Sequence, residues 1–152
     1  MKITRSLPIV LGLLLISSRP ATAQTLTILA SPAAMIISSA TAGLQPNAPP
    51  ADVSTNYSVT TPANLKSGTI SAQIFGTCLS MPTGTKLFIT MTAPPGATNV
   101  NNADLSTGAI TVVVTGIPQK TNATSLGITY NFSATAAAGV LSSTCQVRFT
   151  IY

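Results

Sequence analysis

Few side chains of this chain can carry out acid–base or metal chemistry. The 152 residues include no histidine and only two acidic residues, Asp52 and Asp104, together with two cysteines, Cys78 and Cys145. General acid–base catalysis needs a group that titrates near the working pH, and His, Glu and Asp supply most such groups. Metal sites draw on the same residues and on Cys. We therefore expect no catalytic residue, no cofactor and no metal ion, which is typical of a structural or binding module rather than an enzyme.

The abundant hydroxyl groups do not change this expectation. Ser and Thr make up 35 of the residues from 24 to 152, but a hydroxyl nucleophile needs a base to activate it, and there is no histidine to serve. Asp52 and Asp104 are isolated carboxylates, whereas a calcium ion takes 6–8 oxygen ligands. Solubility must come from hydroxyls and amides, because only 6% of residues are charged.

The N-terminus has the pattern of a bacterial signal peptide over residues 1–23. Lys2 and Arg5 precede a short apolar run, Leu7 to Ile16, and Ala21-Thr22-Ala23 matches a small-x-small cleavage site. No later apolar segment reaches the roughly 20 residues of a membrane span. We expect an exported chain, located in the periplasm, outside the cell or on its surface, without membrane insertion after cleavage. Residues 24–152 then form one domain of ordinary size.

Cleavage also changes the charge. The full chain carries a net charge of +5, but Lys2, Arg5 and Arg19 leave with the signal peptide. The remaining four basic and two acidic residues give +2, with no basic cluster. An electrostatic footprint for nucleic acid is therefore missing, and we expect no nucleic-acid partner.

The two cysteines are expected to form a disulfide, because exported proteins meet an oxidising compartment. A bond between Cys78 and Cys145 would close a loop of about 67 residues and stabilise the fold by roughly 4 kcal/mol in the loop-entropy model. The sequence contains neither a C-x-x-C motif nor a histidine. A thioredoxin-like or a metal-binding use of these cysteines is therefore disfavoured.

Most of the chain alternates between apolar and polar residues with a period of two, which is typical of strands with one buried face. The alternating segments are Thr55–Val59, Thr69–Ile74, Lys86–Thr92, Ala109–Thr115, Leu126–Ala134 and Gln146–Tyr152. In the fourth segment, Ile110, Val112 and Val114 are expected to face inward. An apolar stretch, Thr25 to Ser38, is a seventh candidate, broken by Pro32. Gly- and Pro-rich turns separate these segments, so we predict an all-β, immunoglobulin-like antiparallel sandwich of about seven strands.

The C-terminal segment carries the sharpest functional signal. Gly139 is followed by an alternating strand with Val147, Phe149 and Ile151 on one face, and the strand ends at Tyr152. This resembles the C-terminal pattern of fimbrial subunits assembled by the chaperone–usher pathway. The resemblance implies an incomplete sandwich whose partners are like subunits and a periplasmic chaperone. It also implies completion by a strand from the next subunit's N-terminal extension, here Gln24 to Ile37.

An alternative remains open, because any sandwich needs a final strand. The chain would then be a self-complete secreted binding domain or adhesin. The two hypotheses differ in the run of the N-terminal segment. If Thr25 to Ile37 packs within its own sandwich, assembly by strand donation loses support.

Overall fold

The computed structural model describes residues 23–37, 44–76, 78–138 and 144–152. Within these ranges the chain forms nine strands and one short 3-10 helix, Ala136–Ala138. The strands are β1 Thr25–Ile28, β2 Asp52–Thr60, β3 Gly68–Phe75, β4 Thr85–Met91, β5 Thr98–Asn99, β6 Ala103–Asp104, β7 Thr111–Ile117, β8 Asn122–Ala134 and β9 Gln146–Ile151. The predicted signal peptide lies outside the described residues, apart from Ala23.

The strands form two antiparallel sheets that pack as a sandwich, which confirms the predicted fold class. The first sheet has the order β1-β2-β8-β4-β6, and the second has the order β5-β7-β3-β9. The sequence predicted about seven strands, and the two extra ones, β5 and β6, have two residues each. Two residues are too short to show an alternating pattern, so β5 and β6 could be found only from their pairing with β7 and β4.

The core lies between the two sheets and uses the predicted alternation of β3 and β4. Side chains that are at most 6% exposed come from both strands, and these are Ile70, Ala72, Ile74, Leu87, Ile89 and Met91. Tyr57 and Val59 of β2 and Ile128 and Tyr130 of β8 complete this layer from the neighbouring strands. The buried Tyr57 hydroxyl donates a hydrogen bond to the carbonyl oxygen of Thr92 at 2.6 Å, so its polar atom is satisfied inside the apolar layer.

The prediction for β7 was wrong in its inward face. Val114 is fully buried, as expected, but its neighbour Val113 is buried too, while Val112 is 37% exposed and Ile110 is 70% exposed. The register between β3 and β7 shifts near Ile70. Because such an irregularity lets two consecutive residues face one partner, the strict alternation breaks at this point. Ile110 and Val112 are therefore turned to the outside of the second sheet.

The N-terminal stretch forms a strand over only four residues. β1 pairs antiparallel with β2, from Thr25 opposite Thr60 to Ile28 opposite Tyr57. Leu26 is half-buried, and the other three residues are exposed. The segment from Leu29 to Ile37 continues without regular structure, because Pro32 cannot donate to a ladder.

Cys78 and Cys145 form the predicted disulfide, with 5.2 Å between their Cα atoms. Cys78 follows the end of β3, and Cys145 immediately precedes β9. The bond therefore fastens the start of the C-terminal strand to the strand with which it pairs.

Candidate functional site

The C-terminal strand β9 lies at one edge of the second sheet. It pairs with β3 from Gln146 opposite Phe75 to Ile151 opposite Ile70, and in the described part of the chain no strand pairs with its other side. In an immunoglobulin-like sandwich one sheet has the strand order A-B-E-D and the other C-F-G. β1, β2, β8 and β4 follow the first order, and β3 and β9 correspond to C and F. The position of strand G, beside β9, is unfilled by any described residue.

The register shows which backbone groups face this free edge. Thr69 and Tyr152 exchange both N–H to O=C hydrogen bonds, at 2.8 and 3.0 Å. In an antiparallel pair, hydrogen-bonded and non-hydrogen-bonded residues alternate. Gln146, Arg148 and Thr150 therefore bond to β3, and the N–H and C=O groups of the alternate residues point away from it. These outward-pointing groups belong to Val147, Phe149 and Ile151.

The side chains of the same three residues turn toward the core. Val147, Phe149 and Ile151 pack against the buried cluster but stay half-buried, while Gln146, Arg148 and Thr150 are exposed. The predicted inward row is thus present, and it stays half-buried where no described strand lies beyond β9. Gly139, the first residue of the predicted assembly segment, lies outside the described residues.

Tyr152 belongs to the opposite face of the strand. It is 56% exposed, and its hydroxyl lies 3.1 Å from the Ser71 hydroxyl on the outer surface of the second sheet. Tyr152 therefore does not extend the apolar row of Val147, Phe149 and Ile151. The same two-residue alternation that turns the row inward turns Tyr152 outward.

The edge of the first sheet faces this row. The Leu29 N–H donates to the Asn56 carbonyl at 2.8 Å, so Leu26 and Ile28 are the residues of β1 whose backbone groups point away from β2. β1 and β9 come into contact, but no ladder joins them among the described residues. We call the region bounded by Leu26 of β1 and by Val147, Phe149 and Ile151 of β9 the seam.

Asp52 holds the N-terminal segment beyond β1. One carboxylate oxygen accepts a hydrogen bond from the Ala33 N–H at 2.9 Å, and the other accepts one from the Ser54 N–H at 3.0 Å. Hydrogen bonds from Ser54 and Ala33, the one from Ser54 being the stronger influence, lower the pKa of Asp52. Met35 packs against the core cluster. A shallow cavity of about 350 Å³ lies between Ala33–Ile36 and Pro49–Asp52.

The two carboxylates do not meet. Asp52 begins β2, whereas Asp104 ends β6, and β8 and β4 lie between these strands in the first sheet. Asp104 accepts a hydrogen bond from the Ser106 N–H at 2.8 Å, and hydrogen bonds from Ser106 are the main cause of its lowered pKa. Among the described residues no group of three or more His, Cys, Asp or Glu side chains is arranged to hold a metal ion.

Sequence reasoning missed two contacts of Asp52 and Arg148. The Ala33–Asp52 hydrogen bond joins residues 19 positions apart. The Arg148 guanidinium lies over the Phe75 ring, 3.5 Å from its centroid. Neither pair has a spacing signal, since each depends on which segments the fold brings together.

Searches of protein-family profiles, curated proteins and solved structures found no match to this chain. Among the described residues, no helix has the length and apolar character needed to cross a bilayer.

Proposed function

We propose that this chain is an exported, non-enzymatic structural subunit that acts through protein–protein contacts, and that its contact site is the seam. The observation that carries the proposal is the free edge of β9. Three N–H groups and three C=O groups that point away from β3, and three half-buried apolar side chains, belong to the same residues, Val147, Phe149 and Ile151. An added strand would form hydrogen bonds with these backbone groups and would cover these side chains.

Unpaired N–H and C=O groups at a sheet edge are a ready template for another strand, and proteins usually blunt such edges with charges, prolines or bulges. The residues of β9 whose backbone groups lie on the free edge include no charge, proline or bulge. The one charged residue of β9, Arg148, has its side chain on the outer, exposed face of the second sheet. Strand addition combines main-chain hydrogen bonds, which supply affinity, with side-chain pockets at alternate positions, which supply specificity.

In the fimbrial form of the proposal, the added strand is the N-terminal segment, Gln24 to Ile37, of a second copy. That segment would have to leave its own domain. β1 is short and largely exposed, and only Leu26 and Met35 of the described segment pack against the core cluster. Its release would therefore sacrifice little buried apolar surface compared with the strands of the core.

The self-complete binding domain is the second candidate, and the pairing of β1 with β2 favours it. Thr25–Ile28 lies within its own sandwich, which by the criterion stated above reduces support for strand donation. The pairing leaves the edge of β9 unfilled among the described residues, however, so it completes the first sheet and not the second.

A proline placed on the free edge separates the two candidates. The Val147 N–H points away from β3, so Val147→Pro removes an edge donor without removing a bond of the β3–β9 ladder. Val147→Ala is the matched control, because it trims the side chain and keeps the N–H. If the edge is the contact site, residues 24–152 form concentration-dependent oligomers in light scattering, Val147→Ala retains them and Val147→Pro remains monomeric.

Two other outcomes would contradict the proposal. If residues 24–152 stay monomeric at all concentrations, and a synthetic peptide of residues 24–37 does not bind, the strand-donation proposal fails and the self-complete domain is favoured. Oligomers that persist in Val147→Pro would exclude the edge of β9 as the contact. Thermal unfolding of each variant verifies that the sandwich is intact.

A further inference from the structure

The outer face of the second sheet carries a trough that the proposed function does not use. Its floor is made by the small side chains of Ser71 and Thr150, and taller side chains rise around it. Its volume is about 240 Å³, and its lining includes Ser71, Gln73, Ile110, Arg148, Thr150 and Tyr152. Arg148 stands at one end, Tyr152 at the other and Ile110 on the β7 side.

Arg148 is held in place and keeps its hydrogen-bonding edge. Its guanidinium stacks on the Phe75 ring at 3.5 Å, and stacking uses the flat face of the group. The five N–H donors lie in the guanidinium plane, where they match the two oxygens of a carboxylate. Pre-organisation of this kind lowers the entropy lost when a ligand binds.

No acidic side chain among the described residues neutralises this cation. Asp52 bonds to Ala33 and Ser54, and Asp104 bonds to Ser106, both in the first sheet. Arg148 is therefore a fixed, exposed positive charge without an ion-pair partner among the described residues. Its complement in charge and shape is a single carboxylate.

The rest of the trough offers hydroxyls and one apolar wall. Ser71 and Tyr152 lie 3.1 Å apart through their hydroxyl oxygens, and Thr150 adds a third hydroxyl beside them. Ile110 is 70% exposed. The Gln73 side-chain amide donates to the Gly108 carbonyl at 2.9 Å, which ties the loop before Ile110 to the sheet.

Gly108 is needed for this arrangement. Its φ is +74°, and a Cβ there would collide with the carbonyl oxygen of Leu79. Only glycine combines this conformation with that close approach. The position of the wall formed by Ile110 thus follows from the loop geometry as well as from the irregular register of β7.

We propose that this trough binds one acidic sugar unit, a hexuronate. The carboxylate would bond to the Arg148 guanidinium. The sugar hydroxyls would bond to Thr150 or Tyr152, whose hydroxyls can both donate and accept hydrogen bonds. Ser71, which is only 2% exposed, would position the Tyr152 hydroxyl. The apolar face of the ring would rest on Ile110. A single positive charge matches a monoanion, and a row of hydroxyls matches a polyhydroxylated ligand.

The test is a titration of isotope-labelled residues 24–152 with sodium glucuronate, followed by NMR. We expect shifts concentrated at Ser71, Arg148 and Tyr152 with a Kd on the order of 1 mM, ordinary for a ligand with about 13 non-hydrogen atoms. Glucose, which lacks the carboxylate, should bind at least about tenfold more weakly. Acetate, which lacks the hydroxyls, should be weaker by a similar factor.

Arg148→Gln should weaken glucuronate binding by at least about tenfold, while Lys66→Gln, which removes the same charge elsewhere, should leave it unchanged. Equal binding of glucose and glucuronate, equal binding of acetate and glucuronate, or an unaffected Arg148→Gln would overturn the proposal. So would the absence of shifts in the wild-type protein up to about 20 mM ligand, well above the expected Kd. The comparison of ligands on the wild-type protein stands even if Arg148→Gln fails to fold. It is also independent of β9 edge pairing, which Val147→Pro tests separately.

Discussion

Asp52 accepts a hydrogen bond from the backbone N–H of Ala33 at 2.9 Å, across 19 residues of chain. The bond fastens the irregular segment after β1 to the first residue of β2. The segment is also anchored by the pairing of β1, by the hydrogen bond from the Leu29 N–H to the Asn56 carbonyl and by the packing of Met35. Asp52 therefore holds the part of the chain that would have to move in an assembly by strand donation.

Replacing Asp52 by Ala should loosen this segment while the sandwich stays folded. A hydrogen bond to a carboxylate at a partly exposed site contributes roughly 1 kcal/mol, so the Ala33 amide should exchange with solvent roughly five times faster. Hydrogen exchange read residue by residue measures this. Asp104→Ala is the control, because Asp104 bonds to Ser106 at the far edge of the same sheet. Unchanged exchange at Ala33 in Asp52→Ala would show that the carboxylate does not hold the segment.

Stability should be nearly constant from about pH 5 to about pH 9, because residues 24–152 have no histidine and no glutamate. The pKa values of Asp52 and Asp104 are lowered from 3.8, chiefly by hydrogen bonds from Ser54 and Ser106 respectively. At low pH the unfolded state therefore binds these protons first. Their stabilisation is present above pH 3.8 and is lost as the pH falls through the lower pKa values of the folded state.

At alkaline pH the stability changes in the opposite direction and falls as the pH rises. Burial raises the pKa of both Tyr57 and Tyr130 from 10.0 to about 12. Above pH 10 the unfolded state loses these protons first, so stability should fall as the pH rises toward 12. Chemical denaturation at intervals from pH 2 to pH 11 measures both limbs. A steep change between pH 5 and pH 8 would be incompatible with this account.

Loss of the disulfide should lower the free energy of unfolding by about 4 kcal/mol, given its sequence separation of 67. The double variant Cys78→Ser, Cys145→Ser should unfold at lower guanidinium concentration than the oxidised protein. A reducing agent should shift the wild-type protein to the same midpoint and leave the double variant unchanged. A difference below about 1 kcal/mol would mean that the bond adds little beyond the contacts of β3 and β9.

Phe149→Ala should cost less than a substitution in the fully buried core. Truncation of a fully buried Phe to Ala lowers the free energy of unfolding by roughly 3–5 kcal/mol. Because Phe149 is only half-buried at the seam, we expect a loss of about 2 kcal/mol. Ile89→Ala is the comparison, because Ile89 is 0% exposed and its truncation should lower the free energy of unfolding by about 2–5 kcal/mol. Guanidinium unfolding of both variants decides the order. A larger loss for Phe149→Ala than for Ile89→Ala would indicate that the seam is already covered.

The alternation of β3 and β4 was enough to predict the buried apolar face of each strand, although Ser71 on the opposite face of β3 is buried as well. Ile70 and Ile89 fall on apolar faces of period two, and a strand with one buried face presents that period wherever it lies in the sheet. The disulfide was likewise predictable, because two cysteines allow only one pairing and the predicted signal peptide made an oxidising compartment the expectation. Both inferences depend on residue type and local spacing alone.

The seam and the trough depended on the tertiary structure. The period of β7 was visible, but its irregular register with β3 turned Ile110 and Val112 outward. The edge of β9 is free among the described residues because none of their strands, β1 included, pairs with the side of β9 that faces away from β3. Arg148 meets Phe75 only through the register of β3 with β9. Strand pairing and register join residues far apart in sequence, and no local pattern specifies which strand becomes the neighbour.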